Sequence, residues 1–146
     1  MQCSEIMKHD VKSLSMQDTV HTAARAMQDF NVGFLPVCDD QQHVIGTITD
    51  RDLATRVLAA NLTASTQVAD VMTREVVTCR PDDDLVHAEQ LMSDNHKSRI
   101  VLIDPAGRLV GVISLSDIVQ FEKSARAADT MRRISEREAR PQSPIR

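Results

Sequence analysis

Aromatic residues are nearly missing: among 146 residues there is no Trp, no Tyr and only three Phe. A chain so poor in rings offers no platforms on which single-stranded bases stack. Its net charge is -4, so no broad basic field is present to hold a phosphate backbone, and nucleic acid is not an expected partner. No apolar run approaches the ~20 residues of a membrane span, and no membrane partner is expected. Met1 to Ile6 lacks a basic segment followed by an apolar one, so no secretory signal is visible there. Cysteine is scarce and odd in number. Cys38 and Cys79 lie inside apolar stretches and read as small core residues of a protein kept in a reducing cytoplasm, with Cys3 left over. The histidines (His9, His21, His43, His87, His96) show no metal-ligand spacing with one another or with the cysteines, so no metal site is expected. Neither a Ser–His–Asp nor a Cys–His arrangement marks a catalytic centre, and an enzyme is not expected.

What the chain does have is one unit written twice. A shift of 65 residues aligns it with itself without a gap from Met7/Met72 to Asp52/Asp117. Identities include Met27/Met92, Asp39/Asp104, Gly46/Gly111, Ile48/Ile113 and Asp52/Asp117. Two copies predict two halves related by a pseudo-two-fold axis rather than a solenoid, which needs about three repeats.

Each copy reads as β-α-β-β-α, an α/β (α+β) fold. In the first, Ser4 is expected to cap a short turn and Val11 to Leu14 to be extended. Asp18 is expected to cap a helix carrying Val20, Ala23, Ala24 and Met27, which ends at Asn31-Val32-Gly33 with Gly33 left-handed. Phe34 to Cys38 is a short apolar strand in which Pro36 needs an edge or unpaired position. Asp39 to Gln42 is a turn and His43 to Thr49 the returning strand. A closing helix is expected over 50–60 with Leu53, Val57 and Leu58 on its apolar face. The second copy repeats this order: Val76 to Cys79, a helix capped by Asp83, strands over 99–103 and 108–114, and a helix from Leu115. The expected division is repeat one at 1–60, a linker and lead-in at 61–70, repeat two at 71–123, and a charged helical then disordered tail at 124–146. From Glu122 onward seven basic residues stand against four acids, for a net charge of about +3. Such a tail reads as a solvated helix with a frayed end from Arg140 to Arg146, or as a docking segment for a partner.

The strand-to-helix turns that close each copy are the best candidates for chemistry. Thr49 and Ser114 stand at a strand end, where a hydroxyl and the unpaired N–H groups of a helix start face one space. Asp52 and Asp117 follow three residues on, placed to accept from a vicinal diol such as ribose. A second reading is equally simple: Thr or Ser at a helix start is a cap, and an acid in the first turn complements the dipole.

These residues resemble a known family. Phe34-Leu35-Pro36-Val37, Gly46-Thr47-Ile48-Thr49-Asp50-Arg51-Asp52, Arg99-Ile100-Val101-Leu102-Ile103-Asp104 and Gly111-Val112-Ile113-Ser114-Leu115-Ser116-Asp117 look like a tandem pair of cystathionine-β-synthase-type (CBS) domains. Such a pair is a Bateman module, and the resemblance is to the stand-alone bacterial type. The resemblance runs from about Ser4 to Lys123. It implies clefts between the repeats that bind adenosine-containing ligands such as AMP, ADP, ATP, S-adenosylmethionine or NAD(H), bound as ligands and not as catalytic cofactors. It implies Asp52 and Asp117 as ribose ligands and Thr49 and Ser114 as phosphate contacts. Ser13 and Thr78 would line the clefts, and Leu35 and Ile100 would stand near adenine. Arg51, Lys97 and Arg99 are further candidates for phosphate, and Arg74 and Arg80 weaker ones. It also implies a homodimer. Ser13 departs from the family's more usual Thr, and Val101 from its Pro. Asp50 would repel phosphate, which favours the Asp117 site.

The leading expectation is a cytoplasmic regulatory module that binds an adenine nucleotide and signals to an unknown protein effector. The alternative is a dimerisation scaffold without a ligand. A nucleotide-processing enzyme would have only Asp50 as a candidate base. Asp117→Ala is expected to weaken nucleotide binding with the fold intact. Removing residues from Ala128 onward is expected to leave dimer and binding unaltered.

Overall fold

Two three-stranded sheets, each flanked by helices, make up the computed structural model, which describes residues 1–121 and 125–139. The first sheet has the order β1 (Leu14–Ser15), β2 (Phe34–Cys38), β3 (Val44–Thr49), and the second β4 (Thr78–Cys79), β5 (Arg99–Ile103), β6 (Leu109–Ser114). In each the short first strand runs parallel to the middle one: Leu14 pairs with Val37 and Thr78 with Val101. β2 and β3 are antiparallel, with Leu35 opposite Ile48 and Pro36 opposite Thr47. Pro36 therefore sits in the central strand, not at an edge. It is tolerated because Thr47 gives both its backbone groups to Thr73 at 2.9 Å, so β3 asks no hydrogen bond of Pro36.

Two helices follow the first strands: α1 (Val20–Phe30) and α3 (Leu85–Asn95). Val20, Ala23, Ala26 and Met27 form the buried stripe of α1. The caps fall one residue later than expected. Thr49-like hydroxyl chemistry serves α1, where Thr19 accepts from the Thr22 N–H, while Asp84 serves α3 by accepting from Val86. Asp18 and Asp83 are spent one turn earlier, on the N–H groups of Ser15 and Arg80. Likewise Gln2, not Ser4, precedes the 3-10 turn Cys3–Glu5. α1 ends on Asn31, which is left-handed at φ 54°, in place of Gly33. Asn accepts that conformation better than most residues. Gly33 is needed for another reason: a Cβ there would lie 2.8 Å from the Asp50 carboxylate.

The closing elements are α2 (Asp50–Asp52), which widens into a π-helix over Leu53–Leu58, and α4 (Leu115–Phe121). The widening shows in i to i+5 bonds from Ala59 to Ala54 and from Leu62 to Val57. An extra residue per turn rotates the later side chains off the core face. Val57 stays buried, while Leu58 is 78% exposed, against the expectation of an α-helix with Leu58 inside. α5 (Ala125–Ala139) is the last element. It is not a solvated helix: it packs against α3 and α4, and Ile134 is 1% exposed. The frayed end expected at 140–146 lies outside the described residues.

The chain divides into two compact units, and neither is a contiguous repeat. One comprises Met1–His9, Val77–Leu102 and the chain from Gly111 onward; the other comprises Asp10–Val76 and the hairpin tip Ile103–Val110. Each repeat is thus completed by the lead-in of the other. In the first-repeat unit, the carbonyls of Thr66 and Ala64 accept the first N–H groups of α1, and Thr73 extends β3. The stretch around 61–67, read as a plain linker, is therefore a cap for α1. In the second-repeat unit, the Met1 carbonyl accepts from Leu85 at the start of α3, and Lys8 pairs with Val112 of β6. Gly46 and Gly111 permit these approaches. A Cβ on Gly46 would stand 2.6 Å from the Met72 sulfur and 2.9 Å from the Thr73 carbonyl, and one on Gly111 2.8 Å from the Met7 sulfur and 3.0 Å from the Lys8 carbonyl.

Leu14, Val20, Ala23, Met27, Leu35, Val37, Ile48 and Met72 belong to the core of the first-repeat unit. In the second-repeat unit, Leu85, Met92, Ile100, Leu102, Ile113 and Ile118 are buried. Cys38 and Cys79 are core residues, and so is Cys3, whose sulfur lies 3.9 Å from that of Cys79. Their hydrogen bond lowers the Cys3 thiol and raises that of Cys79 above the ordinary range.

Candidate functional site

Both closing turns fold the same way from the same residue types. Thr49 is extended at φ -119° and ψ 165°, which aims its hydroxyl at the start of α2. There it accepts from the Asp52 N–H at 3.1 Å, while Asp52 Oδ2 accepts from the Thr49 N–H at 3.0 Å. In the second repeat, Ser114 Oγ accepts from the Asp117 N–H at 3.2 Å and Asp117 Oδ2 from the Ser114 N–H at 2.9 Å. This is a reciprocal capping box, with Asp in place of the commoner Glu. Both hydroxyls and one oxygen of each carboxylate thus do structural work at the helix start. The other carboxylate oxygen faces a cation: Asp52 Oδ1 is 3.7 Å from Arg56 Nε, and Asp117 Oδ1 is 3.7 Å from Lys8 Nζ. Asp117 is 7% exposed.

The second turn borders a cavity of about 500 Å³, within the range of small-ligand sites. Its polar lining is Ser98, Arg99, Ser114, Ser116 and Gln120; its apolar lining is Leu115, Val119 and Met131. The Ser114 and Ser116 hydroxyls are 2.9 Å apart, and the Leu115 N–H donates to the Ser98 carbonyl at 2.7 Å, fixing the turn against the start of β5. Arg99 is exposed at that start. The lining therefore combines hydroxyls, an arginine and apolar side chains. That arrangement suits an amphiphilic anion.

Of the residues expected from sequence, Ser114 and Arg99 meet in this cavity. Asp117 lies one hydrogen bond behind Ser114 and is not on the wall. Leu35 and Ile100 are 1% and 0% exposed, so their surface is already spent on the core and neither presents any to a ligand. Thr78 is half-buried in β4, and Ser13 lies just before β1 with its hydroxyl against the Cys38 thiol, which burial pushes up. Arg51 and Lys97 are exposed. Asp50 turns its carboxylate back to accept from the Arg51 N–H at 2.8 Å. Arg74 and Arg56 donate to backbone carbonyls, Arg74 to Ala69 and Arg56 to Val71 and Met72.

Sequence reasoning missed Lys8, Ser98, Ser116, Gln120 and Met131. The i, i+4 spacing of Asp52 and Arg56 was a usable signal. No local pattern links Lys8 to Asp117 or Met131 to Ser114. Among the described residues, no group of three or more His, Cys, Asp or Glu could hold a metal ion.

Comparison with known proteins settles the family. The CBS domain profile matches residues 3–59 and again 68–124. The chain belongs to the CBS domain family. It is 34% identical over 124 residues to the CBS domain-containing protein YhcV of Bacillus subtilis, covering 85% of this chain and 87% of that one. It is 35% identical over 124 residues to the inosine-5'-monophosphate dehydrogenase of Methanocaldococcus jannaschii, but spans only 24% of that protein. Among solved structures, the CBS domain pair of protein MJ0100, in complex with 5'-methylthioadenosine and S-adenosyl-L-methionine, superposes with a TM-score of 0.76 at 26% identity, covering 83% of this chain and 94% of that one. The tandem CBS pair and its α+β fold are those expected from sequence. Among the described residues, no helix is long and apolar enough to cross a membrane.

Proposed function

We propose that this CBS pair is a regulatory module that takes an adenosine-containing ligand at its closing turns, with the second-repeat cavity as the principal site. The observation that carries this reading is the meeting of Ser114, Ser116 and Arg99 on the wall of a cavity of about 500 Å³. Hydroxyl donors and a guanidinium suit a phosphate or carboxylate, and Leu115, Val119 and Met131 suit a flat apolar ring. Asp117, one hydrogen bond behind Ser114, would meet the ribose diol through Oδ1 only where its contact with Lys8 at 3.7 Å opens toward the cavity. Asp52 and Thr49 would act likewise in the first repeat. Ser13 and Thr78 would line the sites, and Arg51 and Lys97 would supply further charge toward phosphate. The MJ0100 pair holds adenosine-containing molecules, which supports this ligand class. The output is a change in state read by a partner protein or by a second copy in a homodimer in the cytoplasm. A ligand shifts that state only by its differential affinity.

The capping boxes favour a second reading, a scaffold without a ligand, because they explain Thr49, Asp52, Ser114 and Asp117 by helix capping alone. Thermal unfolding with AMP, ADP, ATP, S-adenosylmethionine, 5'-methylthioadenosine and NADH separates the two. A ligand at about 100 times its dissociation constant adds roughly 2.7 kcal/mol to the folded state, and so raises Tm by several degrees. A flat panel overturns the ligand reading in favour of the scaffold.

A further inference from the structure

The second repeat carries an element against its helix that the first does not show. On α3, Glu89 and Ser93 are 2% and 3% exposed. Their counterparts 65 residues earlier, Ala24 and Gln28 on α1, are exposed. The cover is α5: Arg126 Nε donates to Glu89 Oε2 at 2.9 Å, Arg133 Nη2 lies 3.7 Å from Asp94 Oδ1, and Thr130 and Ile134 are buried on the same side. Residues 126, 130, 133 and 134 are spaced as one helical face. The next residue round, Met131, stays 37% exposed and lines the cavity with Ser114 and Arg99.

We infer that α5 is a wall of the second-repeat ligand site and that Met131 is a contact residue for the ligand's ring, which ties the docking of α5 to occupancy. The inference rests on the ligand reading above. A thioether is flexible and polarisable and packs well against an aromatic edge, so Met131 suits a purine whose phosphate lies toward Arg99. The docked face of α5 combines buried Thr130 and Ile134 with Arg126 and Arg133, each half exposed and each paired with a carboxylate of α3. The exposed pair of Arg133 with Asp94 adds little stability, whereas Arg126 faces a carboxylate that is 2% exposed and is costlier to lose. A ligand seated against Met131 would add to these contacts and so shift the docking of α5. Among the described residues no helix packs on α1 as α5 packs on α3, so the two sites would differ in selectivity.

The test is calorimetric titration of AMP into full-length wild type, Asp117→Ala and Met131→Ala, with amide exchange of α5 followed with and without saturating AMP. The expected result is binding by wild type, at least about tenfold weaker binding by Asp117→Ala, and roughly 3- to 10-fold weaker binding by Met131→Ala. The unliganded Tm of Met131→Ala should stay within about 2 °C of wild type, and exchange over α5 should slow on adding AMP. Wild-type affinity in Met131→Ala, where Asp117→Ala has lost binding, overturns the inference and leaves the ligand reading standing; so does α5 exchange that AMP does not alter. A wild type that takes up neither AMP nor any other adenosine ligand overturns both.

Discussion

At Gly46 and Gly111 the side chain is a hydrogen because a neighbouring segment occupies the space of a Cβ. Gly111→Ala is expected to cost about 1–3 kcal/mol, read as a lower urea midpoint with an unchanged slope. Shortening Met7 in the same chain should recover only part, because the Lys8 carbonyl, 3.0 Å from the added Cβ, is backbone and cannot swing away. Asp117 caps α4, and we propose that it also meets the ligand, so Asp117→Ala should weaken ligand binding and also cost about 1 kcal/mol through the lost cap. The sequence alone predicts an intact, unpenalised fold; denaturation beside titration tells the two effects apart. The hairpin turns add a pH dependence. Asp104 Oδ1 accepts from the N–H groups of Arg108 and Ala106, which holds its carboxyl below the usual value. Burial pushes Asp39 up, yet the N–H groups of His43 and Gln41 and the His43 ring more than offset this and hold it low. For depressed carboxyl pKa values the stabilisation is present above the unfolded value near 3.9 and is lost as pH falls through the folded one. The Asp39→Asn, Asp104→Asn double variant should therefore lose less stability than wild type between about pH 4 and pH 2, measured by denaturation at each pH.

Elements were legible in the sequence where their signal is local. Short apolar runs marked the middle strands, and 3.6-residue spacing marked α1 and α3, because burial of one helix face imposes a period on neighbouring residues. Caps slipped by one residue where two capable side chains adjoin, as at Asp18-Thr19 and Asp83-Asp84; which of them serves the helix depends on the turn before it. The site was half legible. Ser114 and Arg99 stand in repeated motifs, but Met131 and Lys8 reach it only through tertiary packing. The spacing of Leu53, Val57 and Leu58 reads as an α-helical face, and Leu58 was misplaced because the widened turn carries it outward. The tail was misread because its charge is that of a solvated helix, while Thr130 and Ile134 are in fact buried. Removing residues from Ala128 onward, expected from sequence to leave dimer and binding unaltered, should lower Tm by about 5–10 °C, because it strips Ile134 and Met131 from the α3 and α4 side. An unchanged melting curve would show that α5 contributes nothing there. Arg126→Ala should cost about 1–2 kcal/mol, since it removes a cation from a carboxylate that is 2% exposed.

For the whole molecule, the crossed lead-ins decide where the chain can be cut. Residues 1–60 hold the first repeat by sequence but lack Ala64, Thr66 and Thr73, which cap α1 and extend β3. A 1–60 fragment should show little folded signal by circular dichroism, and a 10–76 fragment distinctly more. Equal signals would mean that the lead-ins are dispensable. The same crossing sets a schedule for synthesis. Lys8 pairs with Val112, so about a hundred residues separate the two when they leave the ribosome. At 5–20 residues per second that is a wait of roughly 5–20 s. Through that interval Ile6 and Met7, apolar in sequence and packed in the finished fold, have no sheet to join. The lead-in of a nascent chain therefore stays without its partner strand until β6 is made.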